Sequence, residues 1–223
     1  MRAILLIAYG SSLPYAAENA KNQADRLSML SRLKVYTAFD RVNHPTVPEA
    51  VREMAADGVD DAAVLPFFIA EGVITKEHLP AKLGLDGRSG TVAVDGRPLR
   101  LRLGQAVGAD PGTAAIVVRR IRAAASGPET GILIVGHGSD EPENPAAVRT
   151  AAEAVKKAGF QHTAIGFNEF CRPSIEEGLS ELIGTDCDRI AVVPLFIACG
   201  LHLREEIPEK LGLPVGKKHG ELV

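Results

Sequence analysis

The stretch VLPFFIA at residues 64–70 returns as VVPLFIA at residues 192–198, 128 positions further along the chain. The same offset aligns other segments: ILLI at 4–7 with ILIV at 132–135, Gly10-Ser11 with Gly138-Ser139, and KLGL at 82–85 with KLGL at 210–213. Because one offset holds over some eighty residues, we interpret the chain as an internal duplication.

Each copy alternates strand and helix patterns, and the second copy shows the order clearly. Continuous apolar runs predict buried parallel strands at residues 131–135, 163–167 and 189–196. Helices are predicted at residues 145–158, 173–183 and 201–211, with Pro173 in an early helical position and glycines at 159 and 212 as stops. This alternation predicts the α/β class, as two similar doubly wound parallel-sheet domains.

Residues 86–130 join the two copies. Residues 91–94 and 99–103 predict a strand pair across the turn Asp95-Gly96, and a helix is expected from about residue 111 to residue 125. A joint at residues 126–128 predicts an N-terminal domain at 1–127 and a C-terminal domain at 128–223. Since nothing after Leu213 matches residues 86–125, the second copy is expected to be trimmed at its C-terminal end.

Composition excludes several classes of protein. The 223 residues carry 25 Lys and Arg against 28 Asp and Glu, a net charge of −3 that predicts no nucleic-acid partner. No apolar run approaches the roughly 18 residues of a membrane helix, which predicts no membrane partner. Three cysteines, at positions 171, 187 and 199, show no CxxC spacing. We therefore expect a cytoplasmic protein without disulfides or a zinc ribbon.

Polar residues follow each predicted strand of the second copy. His137 follows the first strand, Asn168-Glu169 follow the second, and His202 follows the third. Ligands of open parallel sheets bind beyond the carboxyl ends of the strands, so these side chains are expected to converge. Two imidazoles and a carboxylate suit Fe²⁺, Co²⁺ or Ni²⁺. Glu206, four residues after His202, is either a further ligand or a support for it.

Other interpretations of these residues remain open. A histidine at a strand end is often only a loop or cap residue, and the glycines of residues 136–139 could instead bind phosphate at a helix N-terminus. Neither a P-loop Lys-Ser/Thr nor a GxGxxG pattern is present. Ser139 also lacks the Gly-x-Ser-x-Gly elbow of a hydrolase nucleophile.

Three motifs together resemble a known family. They are VGHGS at residues 135–139, FNEFCRPS at 167–174 and PLFIACGLHLREEIP at 194–208. They resemble the class II tetrapyrrole chelatases, and most closely the sirohydrochlorin cobaltochelatase/ferrochelatase branch of the CbiX/SirB type. The resemblance implies ATP-independent insertion of Co²⁺ or Fe²⁺ into sirohydrochlorin, in cobalamin or sirohaem biosynthesis, with the metal as substrate and no organic cofactor.

The resemblance also implies roles for individual residues. His137 and His202 would hold the metal, and Glu169 would be the general base for the pyrrole N–H groups or would help to orient the metal. The tetrapyrrole would contact Ser139, Arg172, Arg204, Lys76, Phe167 and Phe170, whereas Phe196 is expected to be mainly a core residue. A carrier that binds tetrapyrrole or metal without turnover remains the alternative. We expect a monomer or a weak homo-oligomer.

The first copy lacks all three proposed chemical residues. Tyr9 stands at the position of His137, Arg41 at that of Glu169 and Ile74 at that of His202. His44 and His78 align with Arg172 and Glu206 and are expected to face the substrate or solvent, with relocated metal ligands as the alternative. The sequence therefore predicts one site for each chain, in the cleft, with ligands from the second copy.

Overall fold

A computed structural model describes residues 1–124, 127, 129–198 and 200–214, without the side chains of residues 14–16. Cys199 lies outside the described residues. The chain divides into two compact units, Met1–Val107 and Gly108–Val223. The division between these compact units lies twenty residues before 127/128, where the domain boundary stays a prediction. The physical reason is that the helix at Pro111–Ala124 packs against the first helix of the second copy, at Glu143–Lys157.

The first unit contains a five-stranded sheet in the order β2-β1-β3-β5-β4. Its strands are β1 Arg2–Ala8, β2 Lys34–Phe39, β3 Asp61–Pro66, β4 Ser89–Val94 and β5 Arg97–Leu103. Four strands are parallel, and β4 pairs antiparallel with β5, which confirms the predicted strand pair. The carboxyl ends of β1, β2 and β3 consequently lie at one edge of the sheet.

Helices cover both faces of this sheet. The helices are α1 Pro14–Ser31, α2 Val47–Ala56 and α3 Leu79–Leu83. Alternate residues of β1 point to opposite faces. Leu5 packs in a core with Met54 of α2 and Leu79 of α3. Leu6 packs in a second core with Ala20 of α1. The unit is therefore doubly wound, as predicted.

The second unit repeats this arrangement around a three-stranded parallel sheet in the order β7-β6-β8. Its elements are α4 Pro111–Ala124, β6 Gly131–Gly136, α5 Glu143–Lys157, β7 Thr163–Phe167, α6 Ile175–Ile183, β8 Ile190–Pro194 and α7 Ile207–Lys210. Leu133 and Val135 of β6 pack with α6 and α7. The α5 helix contacts β6 and β7, where Val148 is 2% exposed.

The duplication extends to the loops that follow β1 and β6. Gly10 and Gly138 both have positive φ, +91° and +89°. A Cβ atom on Gly10 would lie 1.9 Å from the carbonyl oxygen of Arg41, and one on Gly138 would lie 1.9 Å from that of Glu169. Both loops therefore require glycine because two backbone segments approach closely.

The third predicted helix of the second copy differs in form. It begins with a π-helical turn at His202–Glu206, and only Ile207–Lys210 is α-helical. The first unit has the same π-helical turn at Ile74–His78 before α3. The expectation for Pro173 is wrong, because α6 begins after the N-cap Ser174 and Pro173 precedes it. The Ser174 hydroxyl accepts the N–H of Glu177, so a capping box begins this helix instead.

None of the described helices is both long enough and apolar enough to cross a membrane.

Candidate metal site

Three polar side chains meet at the carboxyl ends of the strands in the second unit. His137 follows β6, Glu169 follows β7 by two residues, and His202 opens the π-helical turn after β8. One ligand atom from each of these residues lies within 4.8 Å of the others. Residues separated by up to 65 positions thus form a cluster that could bind a metal ion. Glu169 is exposed and both histidines are half-buried, so the cluster is open to solvent.

The hydrogen bond of His137 fixes which ring nitrogen is available. Its Nδ1 lies 2.9 Å from the carbonyl oxygen of Gly138. A carbonyl oxygen only accepts, so Nδ1 carries the proton and donates. The lone pair is therefore on Nε2, the nitrogen left to bind a metal.

Glu206 likewise determines which ring nitrogen of His202 is available. The Nδ1 of His202 lies 2.7 Å from Oε2 of Glu206, which again leaves Nε2 with the lone pair. The hydrogen bond from His202, followed by one from Asn168, lowers the pKa of the Glu206 carboxyl and keeps it an acceptor. Of the two interpretations of Glu206, this geometry favours support of His202 over a fourth ligand.

Two further residues belong to this site: Asn168, which the sequence placed after β7 without a role, and Lys210, which its pattern did not single out. Asn168 is 5% exposed, and its Nδ2 donates to Oε2 of Glu206 at 2.8 Å. The Nζ of Lys210 donates to Oδ1 of Asn168 at 2.9 Å and also to its backbone carbonyl. The duplication offered a signal for this pair, since Asp40 and Lys82 occupy the corresponding positions in the first copy.

Two phenylalanines flank the imidazoles, and a third does not. The ring of Phe170 lies 6.1 Å from that of His137, and Phe170 is 66% exposed. Phe196 lies 6.4 Å from His137 and 6.3 Å from His202, and it also packs against the core. Phe167 is only 1% exposed, so the expectation that it contacts substrate is wrong. Its inward position on β7 makes it a core residue.

The glycine-rich loop has few free donors for an anion. The N–H of Gly138 donates to Oδ1 of Asn144 at 3.2 Å, and the N–H of Ser139 donates to Sγ of Cys171 at 3.4 Å. The hydroxyl of Ser139 accepts the N–H of Glu141 at 3.0 Å. These contacts leave Ser139 half-buried within its own turn and weaken the phosphate-binding interpretation.

The three cationic side chains that were expected to pair with substrate carboxylates lie on different elements of the fold. Arg172 is exposed and forms an ion pair with Glu177 near the start of α6. Arg204 is exposed on the π-helical turn beside His202. Lys76 is exposed at the equivalent position in the first unit.

The corresponding edge of the first unit has a different chemistry. The Arg41 guanidinium lies 5.6 Å from the ring of Tyr9, and Ile74 packs against the core. His44 pairs with Glu49 on the surface, and His78 is exposed. Within the ranges that the structure describes, the cluster of the second unit is the one that could hold a metal ion.

Two similar doubly wound units, one with an open His-His-Glu cluster, define a duplicated chelatase-like α/β protein. The CbiX family model matches residues 3–124 and again residues 131–221. The chain therefore belongs to the CbiX family, with one family unit in each copy.

Curated relatives agree with this assignment. A sirohydrochlorin cobaltochelatase of Methanopyrus kandleri is 39% identical over 37% of this chain and 58% of its own length. One from Methanosarcina acetivorans is 34% identical over 54% of this chain and 95% of its own length. A probable sirohydrochlorin cobaltochelatase of Halobacterium salinarum is 28% identical over 94% of this chain and 76% of its own length. The chain spans less than two thirds of the Methanopyrus kandleri relative.

Solved structures share the fold. SirB from Bacillus subtilis with Fe³⁺ is 18% identical, with a TM-score of 0.77 over 95% of this chain and 82% of SirB. A CbiX described as the terminal enzyme of sirohaem biosynthesis in denitrifying bacteria is 23% identical, with a TM-score of 0.69. That match covers 99% of this chain and 94% of the other. These structures support the chelatase-like architecture of both copies.

Proposed function

We propose that this chain inserts a divalent metal, Co²⁺ or Fe²⁺, into sirohydrochlorin without ATP. The observation that carries the proposal is the open cluster of His137, Glu169 and His202, in which both Nδ1 atoms are engaged and both Nε2 atoms are left for a metal. The names of the curated relatives supply the proposed substrate.

Weak coordination is what metal transfer requires. Two imidazoles suit a borderline divalent ion, and water would complete its coordination sphere. A closed set of four protein ligands would hold the ion as a structural site does. An open site lets the pyrrole nitrogens replace protein ligands one at a time, so the metal passes directly from the two histidines to the macrocycle.

Insertion also releases two protons. The free macrocycle carries two pyrrole N–H groups, and each must lose its proton as a nitrogen–metal bond forms. Glu169 is the carboxylate in the cluster, and its exposure gives it access to bulk water. We assign it the general base, which accepts each proton and passes it to solvent.

The surroundings of the cluster fit a large, acidic and partly apolar substrate. Phe170 and Phe196 place aromatic rings beside the imidazoles, where a macrocycle would lie. The exposed guanidinium groups of Arg172 and Arg204 are suited to pair with its carboxylates. Ser139 lies in the same loop as His137.

The proposal is tested with sirohydrochlorin under anaerobic conditions, by following its absorbance after addition of Co²⁺ or Fe²⁺. Many turnovers for each chain are expected. A single stoichiometric change would instead support the carrier alternative. Competition between the two metals assigns the physiological product, and with it the cobalamin or sirohaem pathway.

Matched variants locate the site in one copy. His137→Ala and His202→Ala should each abolish metal insertion, because each removes one of the two imidazole ligands. His44→Ala and His78→Ala change histidines of the first copy, at the positions that align with Arg172 and Glu206 of the second. These two variants should retain most of the activity. Equal losses from both pairs would contradict a single site in the second copy.

A further inference from the structure

A buried asparagine connects two groups of opposite hydrogen-bonding character. Asn168 is 5% exposed and lies between the ammonium of Lys210 and the carboxylate of Glu206. An ammonium only donates, so it must face Oδ1, at 2.9 Å. An ionised carboxylate only accepts, so it must face Nδ2, at 2.8 Å. The two partners therefore fix the orientation of the amide.

This orientation determines what Glu206 can do. Its Oε2 accepts from both Asn168 and Nδ1 of His202, at 2.8 and 2.7 Å. We propose that Asn168 is a positioning residue which, through Glu206, holds His202 in the tautomer with an Nε2 lone pair. Its consequence for catalysis rests on the function proposed above, whereas its effect on the tautomer does not.

The first copy shows that a carboxylate can occupy the equivalent position. Asp40 occupies the equivalent position, with its side chain 1% exposed, and Lys82 donates to its Oδ1 at 2.6 Å and to its carbonyl at 2.7 Å. An aspartate therefore fits this position beside this lysine. The first copy has Ile74 where the second has His202, so it has no imidazole to orient.

Aspartate at position 168 would oppose the arrangement in the second copy. It would retain the contact with Lys210 but would place a carboxylate oxygen about 2.8 Å from Oε2 of Glu206, where the N–H now donates. Two acceptors at that distance repel, so Glu206 would turn away and His202 would lose the partner of its Nδ1. Replacing the NH2 group of Asn168 with a carboxylate oxygen would thus keep the contact with Lys210 but remove the support of His202.

The test compares Asn168→Asp with the matched control Asp40→Asn, each in the full chain. Nitrogen-15 NMR of the metal-free protein at about pH 8 reports the imidazole tautomers, and His202→Ala identifies the His202 signals. In Asn168→Asp, the Nε2–H form of His202 should increase, while His137, held by the Gly138 carbonyl, stays unchanged. The control should leave both histidines unchanged.

Metal binding supplies a second readout. Titration with Co²⁺ should show affinity about tenfold to a hundredfold weaker for Asn168→Asp, the usual effect of losing support for a ligand. If sirohydrochlorin is the substrate, the KM for Co²⁺ should rise by a similar factor, with a smaller change in kcat. An unchanged tautomer together with unchanged Co²⁺ affinity would overturn the proposal.

A second pair of variants tests the same proposal if Asn168→Asp does not fold. Lys210→Met removes the donor that orients the amide, and Lys82→Met is its counterpart in the first copy. Only Lys210→Met should weaken Co²⁺ binding, and equal effects of the two would overturn the proposal. A wild-type chain that binds Co²⁺ but inserts none would refute the proposed function, while the NMR comparison would still decide the role of Asn168.

Discussion

Replacement of Gly138 by alanine should separate the geometry of the site from the stability of the fold. The new Cβ would lie 1.9 Å from the carbonyl oxygen of Glu169, whereas such contacts require at least 3.0 Å. The two backbone segments must therefore separate by about 1 Å. Because the N–H of Glu169 bonds to the carbonyl of His137 at 2.8 Å, this movement displaces the proposed base from a proposed ligand.

The expected losses can be estimated from this geometry. A non-glycine residue at positive φ costs about 1–2 kcal/mol of folding free energy, and the clash adds to that. A displacement of about 1 Å at reacting groups can cost about a hundredfold in rate. Gly10→Ala is the matched control, since its Cβ would meet the Arg41 carbonyl at the same 1.9 Å in the copy without the site.

Both variants are measured by denaturant unfolding and by the rate of Co²⁺ insertion into sirohydrochlorin, at temperatures where each remains folded. We expect similar losses of unfolding free energy in the two variants. Only Gly138→Ala should lose insertion by about a hundredfold. Equal rates in the two folded variants would refute the argument that this close approach sets the geometry of the site.

Two further predictions concern the capping boxes that begin α2 and α6. The N–H of Thr46 and then His44 stabilise the Glu49 carboxylate and lower its pKa from 4.5 to about 2. A lowered pKa stabilises the fold above pH 4.5, and that contribution is lost as the pH falls towards 2. The Tm of Glu49→Gln should therefore fall below that of the wild type at neutral pH and converge with it in acid, and a constant difference would contradict this cause. Ser174→Ala removes the hydroxyl that accepts the Glu177 N–H, so urea unfolding should show a loss of about 1 kcal/mol, and no loss would exclude this cap as a stabilising contact.

Local pattern predicted most of the fold. Apolar runs fixed the positions of β6 and β7 to within a residue, because buried parallel strands need continuous apolar sequence. The hairpin of β4 and β5 followed from its Asp95-Gly96 turn. The packing of α4 was harder to predict than its position in the chain. Its location in the chain was predicted, but its packing against α5 within the second unit is a tertiary contact that no local pattern encodes.

Side-chain environment was harder to predict than position. Phe167 and Phe170 stand three residues apart in one motif, yet one is 1% and the other 66% exposed. The difference arises because Phe167 ends β7 and points inward, whereas Phe170 lies beyond the strand with φ of +60°. The π-helical turn that begins at His202 was likewise predicted as ordinary helix.

The sequence by itself determined the duplication, the order of strands and helices, and which copy carries two histidines and a glutamate at strand ends. These features depend on residue type and spacing, which the chain displays directly. The tertiary structure alone decided that Glu206 contacts Nδ1 of His202, and that Asn168 and Lys210 hold Glu206 in place. The hydrogen bonds of Asn168 to Glu206 and Lys210, across 38 and 42 positions, depend on how the π-helical turn and α7 pack against the end of β7. That packing decides which side-chain atoms meet, and no pattern of residue types specifies such contacts.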